Sequence, residues 1–356
     1  MNRPNLTLAL ALAALTAVVA CGDDEPSGPV STEPRAGTLV VEPMMDLPDS
    51  LADVGLYPDL RDLNVLVDTA IAYEPAWPLW SNGLTKHRYV VLPEGTTIDT
   101  SDREVWSFPV GTLAFKTFVV ADPDDADGWR PYETRIMRRL DDRWEFASYL
   151  WNERGTRATL HDMRLPVQVD VTLEDGTAFV HEVPNQLQCR KCHESNPAHA
   201  LGLSELQLNH GASETELARF ARLGLVESSP SDAAAIAHED PLTEQVLGYF
   251  VGNCTHCHNG SDGPSASFDL RGEAGLTNTI DQPTESSATI PGIRVIPGNP
   301  DESVLWRAVA GDDRGAEELK LMPPVGVQHL DAEGIDLLAE WIESLEPTSE
   351  DESTDE

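Results

Sequence analysis

The sequence has few basic residues. Lys and Arg number 24 against 61 Asp and Glu, which gives a formal net charge of -37 at pH 7. Because binding to a phosphate backbone needs positive charge on the protein, this balance excludes nucleic acid as a partner. It favours a partner protein with a basic docking surface, or else a solvated acidic surface that keeps the chain soluble.

Long apolar runs are also missing, apart from one near the N-terminus. Residues 6–20 form an apolar run after Arg3, too short for a comfortable membrane span. This pattern predicts a signal peptide over residues 1–20. The run ends in Val-Val-Ala-Cys at Cys21, which resembles the lipobox of bacterial lipoproteins. The resemblance implies lipidation of Cys21, whereas the alternative is an ordinary secretory signal followed by an unrelated cysteine.

If Cys21 is lipidated, residues 21–45 are a flexible tether, because they hold Asp, Glu, Pro, Ser and Gly with little apolar content. We therefore expect the protein in the bacterial cell envelope, as a periplasmic or outer-membrane lipoprotein. Gly22 after the cysteine favours outer-membrane sorting. Contact with the membrane would then be through the lipid anchor only.

Cysteine is scarce, with five residues in the whole chain. Apart from Cys21, all of them fall in two C-x-x-C-H motifs, at residues 189–193 and 254–258. In such a motif two thiols form thioether bonds to the haem vinyl groups, and the histidine that follows binds the iron. The alternative is a Cys/His zinc site. The motifs predict two covalently bound haem c groups, held by Cys189, Cys192, His193, Cys254, Cys257 and His258.

Residues 46–228 show mostly the pattern of strands and turns. A run rich in β-branched and aromatic residues covers 110–120, and hairpins are predicted around Asp141-Asp142 and Asp175-Gly176. This β-rich domain ends in the first motif and in a helix whose start matches a capping box, from Ser213 to Glu216. Residues 229–240 have the composition of a linker.

Helical patterns fill residues 241–346. Helix starts are predicted at Asp240, Asn299 and Asp331, and Met-Pro-Pro occupies 322–324. The order of helix, C-x-x-C-H, long loop, helix, Met-Pro-Pro and final helix resembles the class I cytochrome c domain. The resemblance implies that His258 and Met322 are the axial ligands of the second haem. The acidic tail, 347–356, is expected to be disordered.

These predictions combine into an α+β, multi-domain chain, in which an all-α cytochrome-like domain follows a β-rich domain. The motifs of the N-terminal half add a family resemblance. The segments 78–83, 108–112 and 133–135, followed by Trp151-Asn152 and the first haem motif, are similar to a family of bacterial diheme c-type cytochromes with a β-rich N-terminal domain. Asn82 departs from the aspartate expected there. The resemblance implies haem binding and electron transfer but no substrate.

A second resemblance concerns the β half alone. Gly111-Thr112 and Lys116 on one strand, a later tryptophan strand and then C-x-x-C-H are similar to the β-sheet cytochromes c-prime and their lysine-crosslinked relatives. In those proteins one face of the iron is often open.

The sixth ligand of the first haem is left undecided by the sequence. It is an open position or one of His161, Met163, His181, His199 and His210. Because the sequence supplies no clear distal acid/base pair, an envelope-anchored electron carrier is predicted ahead of an enzyme. The alternative is a haem enzyme, such as a peroxidase or a small-molecule oxidoreductase, whose open first haem is fed by the second.

Overall fold

Strand-forming residues dominate the first part of the chain, and their alternation places successive side chains on opposite faces of a sheet. The computed structural model describes residues 46–125, 127–261, 268–285, 291–312 and 320–347, which all belong to one compact unit, Ala36–Glu356. A short helix, α1 (Leu51–Val54), precedes the strands. The strands are β1 (Ile71–Ala72), β2 (Thr85–Val91), β3 (Leu113–Ala121), β4 (Trp129–Arg139), β5 (Trp144–Trp151), β6 (Ala158–Leu160), β7 (Val167–Thr172) and β8 (Ala178–Val183).

Six of these strands form one antiparallel sheet in the order β1 to β6, and β7 pairs with β8 in a separate hairpin. The predicted strand in 110–120 is confirmed as β3. The turns predicted at Asp141-Asp142 and Asp175-Gly176 are confirmed as the connections of β4 to β5 and of β7 to β8.

The main sheet buries side chains on both faces. Tyr89, Phe115 and Ile136 are paired across β2, β3 and β4 and point into one core. On the opposite face, Val90 and Phe146 join a second core. Side chains alternate along each strand. The second face therefore also carries Arg88, Lys116 and Arg135, which are next to Tyr89, Phe115 and Ile136 in the sequence.

The helices that follow are α2 (Gln186–His193), α3 (Glu205–Leu208), α4 (Glu216–Arg222), α5 (Pro241–Asn253), α6 (Gly272–Thr277), α7 (Val304–Ala310) and α8 (Ala332–Ser344), with a 3-10 turn at Pro300–Glu302. Asp240 and Asp331 accept hydrogen bonds from the first turns of α5 and α8, as predicted. The predicted capping box at Ser213 is wrong. Thr215 caps α4 instead, because its hydroxyl accepts the Ala218 N–H.

The helices after α4 share a core of their own, in which Phe250, Leu338 and Trp341 are fully buried. This core lies next to the β-rich part. The indole of Trp77 fills the space above Gly248, where a Cβ atom would come within 2.3 Å of the ring. The described residues thus combine a β-rich part with a helical part, which agrees with the predicted α+β class.

Candidate functional site

The first C-x-x-C-H motif forms the greater part of α2. Asn185 caps this helix by accepting a hydrogen bond from the Gln188 N–H, while the Gln188 side chain accepts one from the Asn185 N–H. This reciprocal pair fixes where the helix begins. The helix packs against β5, so that the ring centroid of His193 lies 5.1 Å from that of Phe146.

The ring of His193 is oriented by the backbone. Its Nδ1 lies 2.7 Å from the carbonyl oxygen of His199, which can only accept, so Nδ1 carries the proton and the lone pair remains on Nε2. Burial, with a contribution from the charge of Lys116, lowers the pKa of His193 to about 3. At pH 7 the imidazole is therefore neutral, which is the form that binds a metal, and its second nitrogen is held as metal-binding histidines usually are.

The second motif begins where α5 ends. Cys254 donates its N–H to the Phe250 carbonyl at 2.8 Å, and His258 donates its N–H to the Cys254 carbonyl at 2.9 Å. The His258 ring lies 4.4 Å from that of Phe268, and burial lowers the pKa of His258. Its Nδ1 is buried and has no hydrogen-bond partner among the described residues. A buried ring nitrogen without a partner is costly in a folded chain.

The two motifs meet in space, although 60 residues and several elements separate them along the chain. The ligand atoms of Cys192, His256 and Cys257 all lie within 4.8 Å of one another. A hydrogen bond to Cys257, together with burial, raises the pKa of the Cys192 thiol well above its ordinary value. Asn259, just after the second motif, donates from Nδ2 to the Ser195 carbonyl at 3.0 Å, which ties the two segments together.

A cavity of about 1160 Å³ opens beside the first motif. Its wall includes Cys189, Cys192 and His193 from α2, and Thr255 and His256 from the second motif. Pockets that hold drug-sized ligands measure about 300–1,000 Å³, so this space accommodates a porphyrin. Two thiols and a neutral imidazole that face such a space are the donor set that a covalent haem requires. The residues at the first motif therefore fit the group that the sequence implies.

Three cations line one wall of this cavity. Arg88, Lys116 and Arg135 stand directly opposite one another on β2, β3 and β4. Burial, reinforced by the two arginines, lowers the pKa of Lys116 to about 7. The fully buried Glu133 accepts a hydrogen bond from Arg135 Nε at 2.7 Å. Although burial opposes it, Arg135 and His181 hold the pKa of Glu133 down to about 2, so the carboxylate is ionised.

Met322 borders the helical core. Its N–H donates to the Ala308 carbonyl at 3.0 Å, and its side chain packs, partly buried, against the same cluster as Cys254 and Phe268. Phe268 in turn contacts His258. Met322 and the start of the second motif thus border the same hydrophobic core.

The segment after Met322 is fastened to the β-rich part by Asn82. The Oδ1 of Asn82 accepts the N–H groups of Gln328 at 2.8 Å and His329 at 3.0 Å. Its Nδ2 donates to Gln328 Oε1 at 2.9 Å and to His181 Nδ1 at 3.1 Å. His181 Nε2 lies 3.4 Å from Glu133 Oε2. A buried chain of polar contacts thus runs from the cavity wall to the loop that carries Met322.

No sequence signal pointed to this role of Asn82. It stood out only as a departure from the aspartate expected by resemblance. Its φ of 58° is the left-handed conformation that asparagine tolerates better than most residues, and a turn preceding Gly83 was the available hint.

The five candidates for a sixth ligand of the first haem all make polar contacts elsewhere. His199 Nδ1 lies 2.8 Å from the His193 carbonyl, and both ring nitrogens of His181 are engaged by Asn82 and Glu133. The other three contact neighbours too: His161 the Leu165 carbonyl, His210 the Glu74 carbonyl, and Met163 the Gln186 side chain.

The N-terminal predictions lie outside the described residues. They comprise the signal peptide over 1–20, the lipidated Cys21 and the tether that follows it, and residues 348–356 of the acidic tail lie outside as well. None of the described helices is long and apolar enough to span a bilayer.

Comparison with known proteins found a similarity for one part of the chain. A family model described as Planctomycete cytochrome C matches residues 254–326, from the first cysteine of the second motif to just past Met322. No curated protein and no solved structure matches the chain. The match covers much less than half of the sequence, and it shows that residues 254–326 are similar to a bacterial c-type cytochrome domain.

Proposed function

We propose that this protein is a diheme c-type cytochrome that transfers electrons. A bound haem supplies an iron that alternates between the ferrous and ferric states. The similarity of residues 254–326 to a cytochrome c domain supports haem-based electron transfer. The proposed haem-binding residues are Cys189, Cys192 and His193 for the first haem, and Cys254, Cys257, His258 and Met322 for the second.

The observation that carries the proposal is the meeting of the two motifs. The sulfur atoms of Cys192 and Cys257, one from each motif, belong to a cluster whose ligand atoms lie within 4.8 Å of one another. The thioether edges of two attached haems would therefore be neighbours. Since electron tunnelling falls steeply with distance, adjacent attachment points favour rapid exchange between the two sites.

The second site is proposed to be a class I cytochrome c site with His258 and Met322 as axial ligands. A thioether is a soft, uncharged ligand that favours ferrous over ferric iron and so raises the reduction potential. Met322 stands on a loop held at two ends, by its own N–H bond to Ala308 and by the Asn82 contacts six residues later. A loop held in this way keeps the sulfur in place when the iron changes charge.

We further propose that the protein acts in the bacterial cell envelope, attached by a lipid on Cys21. Its redox partner would dock through a basic surface, because the net charge of -37 attracts cations and speeds their encounter. Reduction by the partner should then slow as ionic strength rises.

Intact-mass spectrometry of the natively matured protein tests the haem count. The wild-type chain should carry two haem additions, and replacing both Cys189 and Cys192 by serine, or both Cys254 and Cys257, should remove one haem each. Lys191→Gln, a change inside the first motif that leaves its thiols and histidine intact, is the matched control and should retain both. A wild-type mass without haem would refute the proposal.

A second candidate function is a haem enzyme whose first iron keeps an open face. The large cavity at the first motif favours it, as does the engagement of the five candidate ligands elsewhere. Carbon monoxide added to the reduced protein distinguishes the two functions. If carbon monoxide binds at one haem, and this binding is lost when Cys189 and Cys192 are replaced, the result would support the enzyme. If both irons are low-spin and neither binds carbon monoxide, the result would support the carrier.

A further inference from the structure

We propose that Arg88, Lys116 and Arg135 form a binding site for an anionic oxygen ligand, a carboxylate or a small oxyanion, which faces the first haem motif. The cavity they line is also walled by Cys189, Cys192 and His193. The inference rests on the proposed function in one respect, since the first haem is the group that the anion would accompany.

The arrangement of Arg88, Lys116 and Arg135 is one that ordinarily destabilises a β-sheet. Arg88 pairs with Lys116 and Lys116 pairs with Arg135 in the strand register, so three positive side chains stand in one row on one face. Like charges placed directly opposite each other destabilise a sheet. Such a row persists in a folded protein when a negative group compensates it.

The protein itself supplies only part of that compensation. Glu133 bonds Arg135 through both carboxylate oxygens, at 2.7 and 2.9 Å, and its charge is also shared with His181. Arg88 is only 8 % exposed, and the hydrogen bond found for its guanidinium among the described residues is a long one, 3.4 Å to the Lys86 carbonyl. Glu133 thus bonds Arg135, and Glu74 acts on Arg88 through its charge alone, while Lys116 between the two arginines is about half protonated at pH 7.

The acidic groups on other elements around the cavity are paired elsewhere or exposed: Glu104 and Asp269 pair with Arg271, and Glu273 is exposed. Arg103 forms an ion pair with Glu205, and Arg271 forms one with Asp269, so those positive charges are already matched by their own partners. Lys86, beside the row on β2, donates to the Leu79 carbonyl, and burial lowers its pKa to about 6, so it adds little positive charge at pH 7. The uncompensated charge is thus concentrated at the row.

A cluster of basic residues is unusual in so acidic a chain. With 24 basic residues against 61 acidic ones, a cluster of cations around a buried cavity runs against the overall balance. Guanidinium groups bind planar oxygen anions through paired N–H donors, and an ammonium group adds a point charge. The row is therefore suited to carboxylates and to small oxyanions.

Two sources of such an anion share this chemistry. One is the pair of propionate carboxylates of the first haem, and the other is a small oxyanion taken from solution. The cavity of about 1160 Å³ has room for a porphyrin with a small ion beside it. Either source would neutralise the row of cations. A nitrite titration and resonance Raman spectra of the propionates distinguish the two sources.

The test compares natively matured wild type with Lys116→Gln, Lys116→Arg and a control, Arg130→Gln. Arg130 lies on β4 but does not line the cavity, and its guanidinium stacks over Tyr132 instead. Each ferric protein is titrated with sodium nitrite and followed by its visible spectrum. Resonance Raman spectra record the bending band of the haem propionates, which reports their hydrogen bonding.

If the anion comes from solution, nitrite should produce a saturable change with an apparent Kd that rises about tenfold or more in Lys116→Gln. The wild-type Kd should return in Lys116→Arg and stay unchanged in Arg130→Gln. If the anion is propionate, nitrite should have no effect, and the propionate band should move in Lys116→Gln but not in Arg130→Gln. Should Lys116→Gln lose a haem, Arg88→Lys, which keeps the charge but loses the paired donors, takes its place in both comparisons.

Haem attachment is checked first by intact mass, so that two kinds of failure are distinct. Absence of haem at Cys189 and Cys192 would refute the proposed function. Haem present at that site, with neither a nitrite response nor a shift of the propionate band, would overturn the anion site alone.

Discussion

Replacing Asn82 should release the loop that carries Met322. Asn82 is fully buried and makes four hydrogen bonds, two of which hold the backbone of Gln328 and His329. Leaving a buried polar group without its partner costs about 1–3 kcal/mol. Alanine at a φ of 58° adds about 1 kcal/mol, because its Cβ crowds the backbone in the left-handed region.

We therefore expect Asn82→Ala to lower the free energy of unfolding by about 2–4 kcal/mol, a large part of the roughly 5–15 kcal/mol typical of folded proteins. Asn82→Gly removes the same hydrogen bonds without the crowding and should be about 1 kcal/mol less harmful. Asn82→Asp keeps both acceptor contacts, but it sets a carboxylate against Gln328 Oε1 and His181 Nδ1.

Urea unfolding of the matured protein measures these losses. If Met322 binds the second haem as proposed, the far-red charge-transfer band of a methionine-bound ferric haem reports whether that bond is kept. Asn64→Ala is the matched control, since Asn64 is exposed, and it should change stability by no more than about 0.5 kcal/mol. If Asn82→Ala were as stable as this control and kept the full far-red band, Asn82 would not hold the loop.

Two further predictions concern stability. Because the pKa of Glu133 is about 2 in the folded state and 4.5 when the side chain is free in water, its ion pair with Arg135 and its contact with His181 should stabilise the protein fully above about pH 4.5. This contribution, roughly 3 kcal/mol, should be lost as the pH falls towards 2, and urea unfolding across that range should show a flatter profile for Glu133→Gln than for wild type. Gly248→Ala should cost about 1–3 kcal/mol, because the new methyl group would meet the Trp77 ring. Thermal unfolding checks this, and partial recovery is expected when Trp77→Leu is added; an unchanged melting temperature for Gly248→Ala would contradict the packing.

The sequence predicted the features that depend on neighbouring residues. Asp240 and Asp331 cap their helices because a short carboxylate can accept the N–H groups of the next turn, and Asp175-Gly176 makes a hairpin turn for equally local reasons. Ser213 failed because two hydroxyl residues compete for one helix start, and Thr215 is the one whose side chain reaches the Ala218 N–H.

Features that depend on contacts between residues far apart in the chain could not be predicted from the sequence. The meeting of Cys192 with Cys257 requires α2 and the segment that follows α5 to come together in space, which no spacing along the chain encodes. The row of Arg88, Lys116 and Arg135 appears only once the strand register is fixed, because a shift by one residue would move each side chain to the other face.

The closeness of the two motifs also bears on the order in which the protein is assembled. Once the chain has closed, Cys192 and Cys257 are near neighbours, and in an oxidising compartment two such thiols are prone to join as a disulfide. That bond would block one attachment position in each motif. If both haems are attached as proposed, attachment before tertiary closure would avoid this disulfide.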